Sequence, residues 1–231
     1  VNIFEPHALG LLDKLFKVHK VIILTGGSGL YIDALCNGLD QELPGKDETV
    51  RTELEILYKQ YGIEILQEKL KELDPEFYQE IDLKNVKRLY RAIEVCILSG
   101  QPYSNLRKGN TAPRPFDIIK IALDRDREEL YDRINQRVDL MIKNGLLEEV
   151  KSLIPHSDKN ALKTVGYTEM FEHLDGDVSL EQAIDNLKVN TRRYAKKQLN
   201  WFKRDPSYHW FHPDERNKIQ ELITLKLNEY I

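Results

Sequence analysis

The apolar run Val21-Ile22-Ile23-Leu24 passes directly into Thr25-Gly26-Gly27-Ser28-Gly29-Leu30-Tyr31. A buried strand, a glycine turn and a helix start in that order constrain the fold more than any other stretch. The order places free backbone N–H groups and a hydroxyl at a strand's C-terminal edge, where open α/β sheets hold their ligands. Three glycines in four residues also suit any tight strand-to-helix turn, so the turn alone leaves a ligand cradle and a plain connection open. Ser28 has two readings of its own. Its hydroxyl can cap the following helix or orient a substrate group. No His neighbours it in sequence to make it a nucleophile.

The flanking pattern extends this unit. Ala8, Leu11, Leu12, Leu15 and Phe16 recur at helical spacing before the strand, and a second helix runs from Leu30 towards an Asn37-Gly38 stop. Residues 39–45 read as a linker. From Lys46 to about Ser104 no strand pattern remains. Helical stripes run Val50, Leu54, Leu57, Tyr61, then Leu66, Leu70, Leu73, then Leu89, Ile93, Ile97, punctuated at Gly62, Asp74-Pro75 and Asp82. Lys84, Lys87, Arg88 and Arg91 lie opposite the last apolar stripe. They can hold a phosphate backbone or simply form a solvated helix face.

A basic linker, residues 105–115, leads into a strand over Phe116–Leu123, and Asp124 or Asp126 can cap the helix that follows. That helix buries Leu130, Ile134, Val138 and Met141 and carries Arg133 and Arg137 one turn apart on a flank. Ser179 to Gln182 forms a capping box for a long helix. Its second half holds Arg192, Arg193, Lys196, Lys197, Lys203 and Arg204 among Tyr194, Trp201 and Phe202. Asp205-Pro206 breaks it, Trp210-Phe211 can form a last strand, and residues 214–231 a terminal helix. The division expected is therefore 1–45 as the first part of an α/β core, 46–110 as a helical insertion, and 111–231 as the rest of the core.

The net charge of -4 excludes a uniformly basic nucleic-acid binder, yet the cations are clustered. In an acidic chain such clusters imply a polyanionic partner engaged at separate places. A diphosphate needs only the arginines; a structured RNA uses both patches. Cys36 and Cys96 have no metal spacing and read as reduced thiols of a cytoplasmic protein. The six histidines are scattered, the P-loop pattern is absent, and no apolar run is long enough for a membrane helix.

Taken together, the chain resembles the tRNA dimethylallyltransferase (tRNA isopentenyltransferase) family. Gly26-Gly27-Ser28-Gly29-Leu30-Tyr31 stands where that family has GGTGLY, and Asn85 to Val95 where it has N-x-x-R-x-x-R-A-L-E-V. Asp124-Arg125, Arg133 through Met141, Gly145-Leu146 to Glu149-Val150, Val165-Gly166-Tyr167, and Thr191 to Gln198 with Trp201-Phe202 complete an ordered set. Each motif is weak alone, and the ordered set is specific.

The resemblance implies a P-loop-kinase-like α/β core with a parallel sheet and an all-helical insertion that grips the tRNA anticodon arm. It implies transfer of a dimethylallyl group from dimethylallyl diphosphate to N6 of the adenosine 3′ of the anticodon, at position 37, with release of diphosphate. Ser28 takes the place of a threonine whose hydroxyl contacts the target adenosine. Arg51, the segment Lys87-Arg88-Leu89-Tyr90-Arg91 and the segment Lys163-Thr164-Val165-Gly166-Tyr167-Thr168 match tRNA-binding positions, although Thr168 stands where a cation is usual. Arg133 and Arg137 are the candidates for the diphosphate, since cations are needed where charge develops on the leaving group. The family's P-loop, its Mg²⁺ site and an aspartate general base have no counterpart in the sequence. The native protein is therefore expected to begin upstream of Val1, and the chain from Val1 to be inactive alone. A monomer is expected. Two other readings remain open, a non-catalytic tRNA-binding remnant and an isopentenyltransferase acting on free adenine nucleotides.

Overall fold

A computed structural model describes residues 3–38, 43–107 and 112–230. The chain folds as two compact units. One joins Val1–Gly26 to Leu30–Phe116, and the other joins Gly27–Gly29 to Asp117–Ile231. Residues 39–42 and 108–111, parts of the two expected linkers, lie outside the described residues.

In the first unit the elements are helical: α1 (Phe4–Phe16), α2 (Gly29–Asn37, whose first residue belongs with the second unit), α3 (Glu48–Tyr61), α4 (Glu64–Leu73), α5 (Pro75–Glu80), α6 (Val86–Ser99) and α7 (Tyr103–Leu106). Local chemistry sets their ends. Asp47 caps α3 through the N–H groups of Thr49 and Val50, Asn85 caps α6 through Arg88 N–H, and Gly38, Gly62 and Gly100 stop helices with positive φ. The apolar stripes of α3, α4 and α6 converge on Leu54, Leu66, Leu70, Leu89, Ala92 and Ile93, joined by Phe77 of α5. Tyr61 and Ile97, read from spacing as part of these stripes, point outward. Asp74 is buried without loss: it caps α5 at Phe77 N–H and accepts from the backbone N–H and hydroxyl of Ser104.

The expected strand at Val21–Leu24 does not form. Among the described residues no ladder bond reaches it, and Val21, Ile23 and Leu24 are exposed. A strand exists only through a neighbour, and these residues have none to pair with here. Arg114, read as linker, is instead a fixed point of the unit. Its guanidinium donates to the Ala34 and Leu35 carbonyls at the end of α2 and pairs with buried Glu5 of α1 at 2.6 Å.

The second unit holds β1 (Ile121–Leu123), α8 (Arg127–Lys143), α9 (Leu146–Ser152), α10 (Tyr167–Leu174), α11 (Leu180–Phe202), β2 (His209–Phe211) and α12 (Arg216–Tyr230). β1 and β2 form a parallel pair in the register Ile121↔His209, Ala122↔Trp210, Leu123↔Phe211. This is the expected parallel sheet, although β1 takes only the last three residues of the predicted 116–123 strand. Parallel pairing requires a long crossover, and α8 to α11 supply it. Their shared core is Val138, Leu146, Val150, Met170, Ala183 and Leu187. Asp126 caps α8, and Ser179 caps α11 through Gln182 N–H, while the Gln182 amide turns forward to Asn186. Lys120 beside β1 reaches Asp205, just after α11, at 2.7 Å, and that bond holds the Asp205 carboxyl down at about 2.

Candidate functional site

In the second unit the glycine turn lies against the C-terminal half of α11. Gln198 and Trp201 are three residues apart and so share a helix face. The Gln198 side-chain amide donates to the Gly27 carbonyl at 2.7 Å. A Cβ at Gly29 would overlap the Trp201 indole, and one at Gly27 would meet the end of the Gln198 side chain. The glycines are thus explained by close approach of α11 rather than by positive φ. Ser28 is bracketed between the two contacts and half-buried, and among the described residues its hydroxyl makes no hydrogen bond. It does not cap α2, which leaves the hydroxyl open to a ligand.

Arg133 and Arg137 are exposed on α8 and make no ion pair among the described residues. Arg192 of α11 meets the other flank of α8, bonding Asn135 at 3.0 Å and lying over the Tyr131 ring, which Arg127 also approaches. Just past the end of α11, Lys203 pairs with Asp124 and sits over Trp210. The six-cation helix read from the sequence is therefore partly used up by its neighbours.

The segment Lys163 to Thr168 leads into α10. Lys163, Thr164, Val165 and Thr168 are exposed, and the Thr168 hydroxyl returns to the Thr164 carbonyl at 3.1 Å. Gly166, at φ +106, is the turning point. A residue that sequence reasoning missed holds it. Buried Glu169 accepts from Gly166 N–H at 2.7 Å and from the Asn190 amide of α11 at 2.7 Å. Tyr167 bonds Glu149 at 2.6 Å, and that carboxylate pushes the phenol pKa up. The signal available in sequence was a Glu at the third helical position after the N-cap glycine, which supplies the carboxylate half of a capping box.

In the first unit the expected cationic face separates into two groups. Lys84, Lys87 and Arg88 stand exposed without ion pairs among the described residues. Arg51 and Arg91 do not. Both bind Glu94, whose side chain is 0% exposed: Arg51 Nε and Nη2 at 3.0 and 3.2 Å, Arg91 Nη1 at 2.9 Å, with Asp47 N–H at 2.9 Å. Arg91 also donates to the carbonyls of Pro44 and Gly45. Burial would raise the Glu94 carboxyl, but these donors outweigh it and hold it below its ordinary value. Glu94 was missed because, apart from Arg91 on its own helix, its partners lie on another helix and a preceding loop. Leu89, placed by sequence in the tRNA-binding segment, is fully buried in the core and holds the segment from behind. Tyr90 is half-buried and packs edge-on against Tyr58.

Among the described residues no group of three or more His, Cys, Asp or Glu could hold a metal. No helix among them is long and apolar enough to cross a membrane.

The family model for IPP transferase matches residues 1–205, the first unit and the second as far as Asp205, and so every family motif described above. The chain belongs to the IPP transferase family. A tRNA dimethylallyltransferase 1 of Phocaeicola vulgatus is 48% identical over 220 residues, covering 95% of this chain and 73% of the relative. A tRNA dimethylallyltransferase of Christiangramia forsetii is 48% identical over 229 residues, covering 99% and 76%. The crystal structure of a full-length tRNA isopentenylpyrophosphate transferase from Bacillus halodurans superposes with a TM-score of 0.65 at 36% identity, covering 98% of this chain and 73% of that one. The likeness bears out the α/β class with a parallel sheet and a helical insertion. Within the IPP transferase pattern, the glycine motif and the Thr191–Gln198 motif, far apart in sequence, are the two halves of the seat around Ser28.

Proposed function

We propose that this protein transfers a dimethylallyl group from dimethylallyl diphosphate to N6 of the adenosine at position 37, 3′ of the tRNA anticodon. The N6–carbon bond forms as the carbon–oxygen bond to diphosphate breaks. The diphosphate leaves with the bonding electron pair, and N6 loses one proton. The observation that carries this reading is the open Ser28 hydroxyl, held by α11 inside a family glycine motif. It is poised to orient a nucleobase by hydrogen bonding. Arg133 and Arg137 supply positive charge for the leaving diphosphate. Lys87, Arg88 and the exposed part of Lys163–Thr168 carry phosphate contacts with the anticodon arm, and Arg51 offers the edge that Glu94 leaves open. The enzyme works as a cytoplasmic monomer.

The test uses the full-length protein with dimethylallyl diphosphate and either unmodified tRNA or AMP, followed by mass spectrometry of the nucleosides. Dimethylallyladenosine from position 37 of tRNA is expected. Transfer to AMP but not tRNA would make the protein a free-nucleotide enzyme. tRNA binding without transfer would make it a binding module.

A further inference from the structure

The turn that carries Ser28 has no ladder bond behind it. Residues 21–26 are unpaired in backbone hydrogen bonds among the described residues. Among the described residues, α11 is what grips this turn, on both sides of Ser28. Gln198 grips the carbonyl on one side of Ser28, at 2.7 Å, and Trp201 lies where a side chain would be on the other. An amide suits this task because it donates a directed N–H without bringing a charge beside the ligand. A carboxylate there would repel the carbonyl, and a lysine would place a mobile cation next to the nucleobase. The indole on Gly29 closes the second side with a rigid surface that only a residue without Cβ can meet.

We propose that Gln198 is a positioning residue for the transfer reaction: its bond to the Gly27 carbonyl sets the place of the Ser28 hydroxyl. It acts through Ser28 and does not itself touch the substrates. This rests on the reading of Ser28 as the hydroxyl that orients the adenosine. A shift of about 1 Å in such a group costs up to about a hundredfold in rate. Gln198→Glu, nearly isosteric, and Gln198→Met, which keeps the packing, both lose the donor.

The experiment measures steady-state transfer to tRNA by the full-length enzyme for Gln198→Glu, Gln198→Met, Ser28→Ala and Ser28→Ala combined with Gln198→Met. Both Gln198 variants are expected to lower kcat by about ten- to a hundredfold. The KM for dimethylallyl diphosphate should stay within about twofold, and the far-UV spectrum should not change. Adding Gln198→Met to Ser28→Ala should cost little more, because the first change acts only through the second. Gly27→Ala supplies an independent check. Its methyl displaces the Gln198 amide in the wild-type background and should reproduce the kcat loss, yet be harmless when Gln198 is already Ala. If Ser28→Ala turns over tRNA normally, the reading of Ser28 fails. If Ser28→Ala is impaired while the Gln198 variants keep wild-type kcat, the reading of Ser28 stands and the role of Gln198 is overturned. Losses that multiply in the double variant overturn it too.

Discussion

Replacing Glu94 by Gln should loosen the helices of the first unit far more than a one-atom change suggests. Four N–H donors converge on the carboxylate: two from Arg51, one from Arg91 and the backbone of Asp47. Glutamine offers one acceptor oxygen and turns an NH₂ group towards donors. Breaking a fully buried ion pair costs about 3–5 kcal/mol because a charge is left uncompensated. Here the arginine side chains are 26% and 27% exposed, so water recovers part of their solvation. The expected cost is about 2–3 kcal/mol. Cys96 reports on it directly. It lies on α6 two residues beyond Glu94, it is 4% exposed, and burial pushes its thiol pKa up. In a Cys36→Ser background, disulfide-exchange labelling of Cys96 at mildly alkaline pH measures how often this part of the unit opens. The labelling rate should rise roughly 30- to 150-fold in Glu94→Gln. A rise of less than about threefold would refute the view that this carboxylate ties α3 and the 44–47 loop to α6.

Three further outcomes are expected. Arg114→Met should destabilise by about 3–5 kcal/mol, since it strands buried Glu5 and two α2 carbonyls; urea unfolding should show it, with most of the loss recovered in Arg114→Met with Glu5→Met. Acid should weaken the second unit through Asp205. Its folded pKa, about 2, lies below the ordinary 3.8, so its stabilising effect is full above 3.8 and disappears as pH falls towards 2; in Asp205→Asn the thermal midpoint should lose that part of its pH dependence. Lys87→Ala and Arg88→Ala should each reduce the slope of log Kd for tRNA against log salt by about 0.7–0.9 without altering Cys96 labelling, whereas Arg91→Ala should raise the labelling. An unchanged slope in both of the first two would remove them from the docking face.

Much of the helical scaffold was legible because helices are specified by neighbours in sequence. Asp126 and Ser179 cap where the sequence placed caps, and Gly62 stops α3 where only glycine adopts positive φ without strain. The family, too, was legible, from ordered motifs rather than from any single one. Residues that change their meaning in three dimensions were not. Arg91 and Arg88 look alike in the sequence, three residues apart on one helix, yet one is bound to a buried carboxylate and two carbonyls while the other faces water. Leu89 read as part of a binding segment and proved to be core.

By itself the sequence determined where helices begin and end, which faces are apolar, and which family the chain enters. The glycine turn shows the limit. Its glycines were read as conformational freedom, but close approach requires two of them: Gln198 reaches Gly27 from 171 positions away, and Trp201 covers Gly29. Arg51 meets Glu94 across 43 positions and Arg114 meets Glu5 across 109. The run at Val21–Leu24 has strand chemistry and no strand, because pairing belongs to a neighbour and not to the segment. Caps and periodicity act within about four residues, where sequence order is spatial order. Ion pairs, ladders and close packing join residues that only the folded chain brings together, and these decide which cations remain free and what holds Ser28 in place.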